Sequence, residues 1–465
     1  MTKSQEHYIK MTETPVAKLI VALGIPTTIS MLITSIYNMA DTYFVGTLGE
    51  SAQGATGILF TLQAIIQALA FMMGHGSGTF VAKALADRDT KEASRYVSTA
   101  FFFGTGAGLV LMTLGLVFLE PFMRLLGSTE TILPHAMDYG MWVLISCPLL
   151  IGSLVINNNL RYEGKAFYAM FGLTAGGLLN ILLDYIFVCV VPLGVFGAGM
   201  ATAISQAVSF SILLFMYFFK AQSRISLRAV ARETAVYLSI MKVGFPSLLR
   251  QGLTSISHGI LNNLTKPFGD AAIAAISVVN RCSSLVLCVG LGIGQGFQPV
   301  ASFNYQVGKR RRVKQGLLFT MGIGLLLSTV LSVLGLIFAP GIISLFQKSD
   351  AVVVIGTKGL RYAALGLLFL PLSVPVNMLY QSIREAGVAS FLALMRSGLA
   401  FIPTLLIFSA IFKLDGILLA QPVADMLSGL VCVPFIIRFL RRPNNPAEDS
   451  VATSVAYIGS EKKEK

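Results

Sequence analysis

Two carboxylates stand where hydrocarbon is expected. Asp184 lies in GGLLNILLDYIFVCVV (Gly176–Val191), and Asp41 lies in YNMADTYFVG (Tyr37–Gly46). Helical spacing gathers oxygen atoms around both. Tyr37 and Asp41 are four residues apart, with Asn38 beside them; Asn180 and Asp184 are four apart, as are Ala198 and Thr202. Two carboxylates, an amide, a hydroxyl and backbone carbonyls form a hard-oxygen set suited to a proton or a small cation. Burial and mutual repulsion oppose two full charges, so the pair could take up and release one proton. A carboxylate inside a bilayer costs at least ~2.5 kcal/mol, which favours a working role for Asp184. The plainer reading, a polar seam of amide and hydroxyl contacts, stands beside it.

The elements that position these groups must be membrane helices. The chain has 465 residues, 55% hydrophobic and 12% charged, against roughly 25% charged in soluble domains. A span needs about 20 mostly apolar residues. Twelve such runs occur: 16–46, 52–82, 94–119, 134–156, 166–190, 194–219, 237–265, 271–303, 314–339, 356–380, 389–412 and 414–438. An all-α polytopic membrane protein follows. The first 14 residues lack the apolar core of a cleaved signal. The five cysteines lie in apolar runs without metal spacing and read as small buried hydrophobes. Span 5 places Asp184 about 9 Å below its outer end, at 1.5 Å per residue. Asp41, Tyr139, Ala198 and Thr202 fall at a similar depth on spans 1, 4 and 6.

The net charge of +13 is sorted rather than spread. Alternate connections hold Lys83, Arg88, Lys91 and Arg95, then Arg161 and Lys165, then Lys220 to Lys242, then Lys309 to Lys314. By the positive-inside rule both termini are cytoplasmic, and the charge marks topology rather than nucleic-acid binding. An internal repeat lies at an offset of 220: LGIP with VGFP, TSI with TSI, GHG with GQG. Further on, LRYEG (Leu160) matches IREAG (Ile383), a register that pairs Asn180 with Pro403 and Asp184 with Ile407. Asp41 pairs with Leu261, so the carboxylates belong to the first half alone. Two parallel six-span halves related by an axis along the membrane normal is a transporter architecture, with cargo bound near the interface. The boundaries read as a cytoplasmic segment 1–15, a first lobe 16–220, a cytoplasmic linker 221–236, a second lobe 237–440 and a disordered tail 441–465.

The stretches YNMADTYFVGTLG, NILLDYIFV, PLGVFGAGMATAISQ and LDGILLAQPVADMLS resemble the signatures of the multidrug and toxic compound extrusion (MATE) family, over about residues 15 to 440. The resemblance implies two six-helix lobes around a V-shaped cleft. It also implies export of bulky, often cationic drugs from a bacterial cell membrane, driven by H+ or Na+ entry, by a monomer that is not an enzyme and carries no cofactor. The family's cation site would fall on Asp41, Asn180, Asp184 and Thr202, with Tyr37, Asn38, Tyr139 and Ala198 around it and Pro26 as a hinge. A flippase of lipid-linked or anionic metabolites is the alternative reading. It is mildly favoured by Arg250, Arg281 and Arg396 in second-half spans, which could otherwise bond helix carbonyls. Asp425 could serve a polar network or touch cargo. His75 reads as part of a glycine packing motif and His258 as a core histidine. Met31, Met39, Met72, Met73, Met170 and Met200 could line a malleable site or fill the interior.

Overall fold

With no water along a bilayer, backbone groups must bond within their own segment, and helices do this. In the computed structural model, which describes residues 3–346 and 349–444, the described residues form helices joined by short turns. The first half comprises α1 (Lys3–Glu13), α2 (Val16–Gly46), α3 (Glu50–Ala86), α4 (Thr90–Val117), the short α5 (Leu119–Leu125), α6 (Leu133–Tyr162), α7 (Ala166–Asp184) and α8 (Gly194–Lys220). The second comprises α9 (Thr234–Thr265), α10 (Asp270–Gln306), α11 (Arg310–Phe346), α12 (Asp350–Leu367), α13 (Leu370–Ser382), α14 (Ala386–Leu394) and α15 (Phe401–Leu440). Twelve spans in two six-helix lobes result, flanking a V-shaped cleft. Span 10 is not one rod: α12 and α13 meet at 51°, with Pro371 opening the second piece. Spans 11 and 12 run on through a reversal at Lys413 (φ 53°, ψ −125°). The expected tail lies outside the described residues beyond Asn444.

Left-handed turn residues register the two halves. Gly49 and Gly269, Arg88 and Gly308, and Gly164 and Arg384 each have positive φ, and each pair is 220 residues apart. Asn157 Nδ2 donates to the Ala169 carbonyl at 2.9 Å, and Asn377 Nδ2 to the Ala389 carbonyl at 2.6 Å, again 220 apart. The offset therefore stays at 220 through LRYEG, and the 223 register is corrected. That letter match paired Gly164, a turn residue, with Gly387, which is helical. Asn180 then mirrors Ala400 and Asp184 mirrors Thr404, so the carboxylates remain unrepeated.

The lobes close at the end that carries the basic loops. Gly244 faces the Met72 carbonyl so closely that a Cβ would lie 1.9 Å from it, and one on Gly76 would lie 2.1 Å from the Ile240 carbonyl. The mirror contact joins Gly296 to Gly24. Polar groups cross the same seam: His75 Nδ1 to Ser247 Oγ at 2.8 Å, Ser302 Oγ to the Thr79 carbonyl at 3.1 Å, and Arg161 to Gln295. The helix α1 is seated across both lobes. His7 packs edge-on to Phe303, Arg88 lies over the Tyr8 ring, and the Met11, Thr12 and Thr14 carbonyls accept from Asn304, Lys309 and Arg312.

A carboxylate pins the exit of each lobe. Glu163 accepts from the Gln222 amide (2.6 Å), the Ser223 amide (3.2 Å) and the Ser223 hydroxyl. Burial raises its pKa, and these donors pull it back. In the second half Glu385 takes Arg442 at 2.5 Å. The linker then zips along α4, where Ser98 accepts from the Ser226 amide and Thr99 from the Ala231 amide.

Two outcomes follow from this seam. Gly244→Ala should part α9 from α3 and expose the interface, since backbone cannot give way as a side chain can. In a background without native cysteines, Ser302→Cys should then label with an impermeant thiol reagent roughly fivefold faster, a shift of about 1 kcal/mol; unchanged labelling would mean the seam absorbs the methyl. His7 is the second case: burial first, then Lys165 and Lys10, lowers its pKa from 6.5 to about 4. The undocked form therefore binds the proton more readily, so docking of α1 is fully present above pH 6.5 and weakens as pH falls toward 4. Hydrogen exchange of α1 amides should follow that window in wild type and flatten in His7→Phe.

Candidate functional site

Small residues bring the oxygen-bearing helices together. A Cβ on Gly177 would press on Ile33 and Tyr37, and one on Gly176 would strike Ser209, so α7 lies tight against α2 and α8. Gly199 lets α8 approach Tyr139 and Trp142 on α6, and Ala198 beside it is fully buried. Asp184 ends α7, and the helix widens into a π-type turn over Tyr185–Val190 directly after it. Such turns are frequent at functional positions.

The hydrogen bonds form a directed chain. Asn180 Nδ2 donates to Thr202 Oγ1 (3.4 Å), Thr202 lies 3.2 Å from Tyr139 Oη, and Tyr139 donates to Asp41 Oδ2 at 2.8 Å. With Tyr139 donating to Asp41, the Thr202 hydroxyl donates to Tyr139. Tyr37, one turn before Asp41, bonds Gln206. Asn38 is half-buried, and its carbonyl accepts from Thr42 at 2.9 Å. What remains is a set of acceptors. Asp41 Oδ1, Asn180 Oδ1 and both oxygens of Asp184 are buried with no donor. Asp184 is 0% exposed, and Asp41 repels it electrostatically. Four buried oxygens lacking a donor are costly unless a proton or cation joins them. Among the described residues no group of three or more His, Cys, Asp or Glu could hold a metal. What the set offers is oxygen acceptors for a proton or a small cation. The structure thus brings Asp41, Asn180, Asp184, Thr202 and Tyr139 together, with Tyr37 and Ala198 around them.

The second lobe is built differently. Arg396, on a π-type turn over Met395–Ala400, donates to Asp425 at 2.8 Å, and Gln421 joins at 3.0 Å. Asp425 is therefore half of a buried ion pair. Arg250 donates to Asn377 Oδ1 at 3.3 Å, and Arg281 is partly buried on α10. His75 does more than fill a glycine motif, since it bonds across the lobes. Cys189 is exposed on the π-type turn, whereas Cys147 and Cys432 are buried. Met72 and Met73 lie in the core; Met31, Met39, Met170 and Met200 are only partly covered. Pro26 is buried in an unbroken α2, where Thr27, Ser30 and Thr34 hydroxyls each bond the carbonyl four residues back. The Glu163 clamp and the Arg161 crossing were missed from sequence. Their only signal was a charged pair at the close of an apolar span.

A family model described as MatE matches residues 26–186 and 246–406, two segments at the same 220 offset. The multidrug export protein MepA of Staphylococcus aureus (strain NCTC 8325 / PS 47) is 26% identical over 446 residues, covering 95% of this chain and 97% of that protein. MepA of Staphylococcus saprophyticus is 25% identical over the same span. A solved outward-facing multidrug resistance MATE transporter of the MOP superfamily superposes with a TM-score of 0.88 at 25% identity, over 94% of this chain and 98% of that one. A MATE structure in complex with MaL6 also gives 0.88 at 25%, over 94% and 99%.

The asymmetry of the site has a direct check. Thr404→Asp, at the mirror of Asp184, sets a carboxylate in a second-lobe interior that lacks the Tyr139–Thr202 chain. The cost is at least ~2.5 kcal/mol, and folded yield from the membrane should fall severalfold. Asp184→Asn should retain its yield. Equal yields of Thr404→Asp and wild type would mean that the second lobe tolerates the charge.

Proposed function

Because this chain belongs to the MatE family, we propose that it is a secondary antiporter that exports bulky cationic or amphipathic compounds in exchange for H+ or Na+. The chain is a multi-pass membrane transporter. In this reading it sits in a bacterial cell membrane as a monomer, with both termini and the linker 221–236 in the cytoplasm, and it performs no covalent chemistry. The lobes 16–220 and 237–440 would move about that linker. The MepA proteins are named multidrug exporters, and similarity along nearly the whole chain supports the same cargo class here.

The observation that carries the coupling reading is the cluster of four donorless oxygens at Asp41, Asn180 and Asp184. When empty, the two carboxylates repel; a proton or Na+ joins them and draws α2 toward α7. Asn180, Thr202 and Tyr139 hold the geometry, while Tyr37, Asn38 and Ala198 shape its wall. Since α2 also lines the lobe seam through Gly24, occupancy at Asp41 reaches the seam along one helix. Pro26 lies between them and removes one backbone bond, so α2 can bend there. Drug and cation then act on one equilibrium, each in proportion to its differential affinity for the two states.

The test is ethidium efflux from reconstituted vesicles under separately imposed pH and Na+ gradients. Wild type should respond to at least one gradient. Asp184→Asn, matched for protein content, should lose gradient-driven efflux by more than about tenfold, equivalent to about 1.4 kcal/mol. Wild-type efflux from that variant would remove Asp184 from the coupling step.

A further inference from the structure

The lobe seam contains two guanidinium groups that no carboxylate among the described residues answers. Arg161, at the end of α6 and 5% exposed, donates through Nη1 to Gln295 of the other lobe and through Nη2 to Asn158. Its buried Nε–H has no partner. Arg250, one turn beyond Ser247 on α9, spends Nη1 on Asn377 at 3.3 Å. The charges of both arginines reach His75 and Tyr162, which puts them at one level of the seam.

His75 completes the set. Ser247 Oγ accepts from Gln381 Nε2 at 2.8 Å and lies 2.8 Å from His75 Nδ1. When the Ser247 hydrogen goes to Nδ1, the histidine hydrogen stands on Nε2, which is buried and unpartnered. The acids nearby are committed elsewhere: Asp425 to Arg396, and Glu163 to the linker amides. The surrounding acceptors are the neutral amides of Asn158, Gln295 and Asn377. Guanidinium keeps its proton in proteins; Arg161 is buried and Arg250 half-buried, and an uncompensated buried charge such as that of Arg161 costs several kcal/mol. The scaffold does not ask for either arginine, because the mirror positions are Gln381 and Ser30.

We propose that the seam binds a small anionic group, a carboxylate or an inorganic anion, between Arg161, Arg250 and His75. The group accepts from Arg161 Nε, His75 Nε2 and the free N–H groups of Arg250. It bridges the lobes and stabilises the state closed at the basic end. The site rests on the lobe interface and does not depend on cation coupling at Asp41 and Asp184.

The experiment follows thermal unfolding of the purified full-length protein in detergent. Chloride or benzoate replaces a bulky sulfonate at constant ionic strength. Wild type should show a saturable rise of roughly 3 °C. Arg161→Gln and Arg250→Ser, each the residue the scaffold carries at the mirror position, should abolish it, while the exposed-charge control Arg361→Gln should keep it. Should Arg161→Gln not fold, Arg250→Ser decides alone. A wild type without a saturable response, or an Arg250→Ser protein that retains one, overturns the proposal. A second arm compares a fluorescent aromatic amine bearing a carboxylate with its methyl ester. If the acid alone is displaced by chloride and binds about tenfold more weakly to Arg250→Ser, the anion is part of the cargo. If acid and ester bind alike while chloride still raises the wild-type midpoint, the anion is a free ion.

Discussion

A carboxylate wholly buried and accepting no hydrogen bond is the constraint around which the first lobe is organised. Asp184 has no donor for either oxygen, yet it stands in a run of apolar residues where water cannot reach it. Desolvation of that kind is relieved when a proton or a cation joins the oxygens. Two neighbouring donors are directed elsewhere: Asn180 gives an amide hydrogen to Thr202, and Tyr139 gives its own to Asp41. The chain of donors ends at one carboxylate and leaves the other open. A site meant only to be stable would have supplied Asp184 with a partner, as the second lobe supplies Asp425 with Arg396.

That contrast is sharpened by the repeat. Both halves share turn positions, an asparagine bond into the following helix and a glycine contact at the seam, all at one offset. Against this common framework the differences stand out as additions. The first half adds acids at Asp41 and Asp184 and a base at Arg161, and the second adds bases at Arg250, Arg281 and Arg396 with one acid, Asp425, paired to Arg396. Proline is not among the additions, because Pro26 is matched by Pro246 inside α9. The helix-interior proline is therefore common to both lobes, and what distinguishes α2 is the carboxylate it carries fifteen residues later.

The sequence was legible where one residue type has one physical meaning. Long apolar runs bounded by basic loops can only be spans, and Asp41, Asn180 and Asp184 were conspicuous because acids and amides are costly there. Thr202 and Tyr139 were legible only through spacing and depth, since hydroxyls are common in membrane helices. Two features were not. The register across LRYEG slipped because a glycine can mark either a turn or a close helix contact, and letters do not say which; Gly164 is the turn, and its structural partner is Arg384. The joining of Arg161 to Gln295 was invisible because it depends on how closely two lobes meet, and that is set by backbone approach at Gly244 and Gly24 rather than by the polar residues themselves.

Those close approaches also fix how the acidic cluster and the lobe seam are connected. Packed interiors shift between discrete arrangements rather than deform smoothly, and a seam in which a single methyl would meet a carbonyl has little room between closed and open. The helix α2 takes part in both places, with Asp41 toward one end and Gly24 against Gly296 toward the other. Between them the hydroxyls of Thr27, Ser30 and Thr34 each bond a carbonyl one turn back, an arrangement that loosens the helical ladder around Pro26. The loosened ladder thus lies on the one helix that joins the acidic cluster to the seam. The corresponding helix of the opposite lobe, α9, has the same proline and the same glycine contact at the seam but carries no acid beyond them.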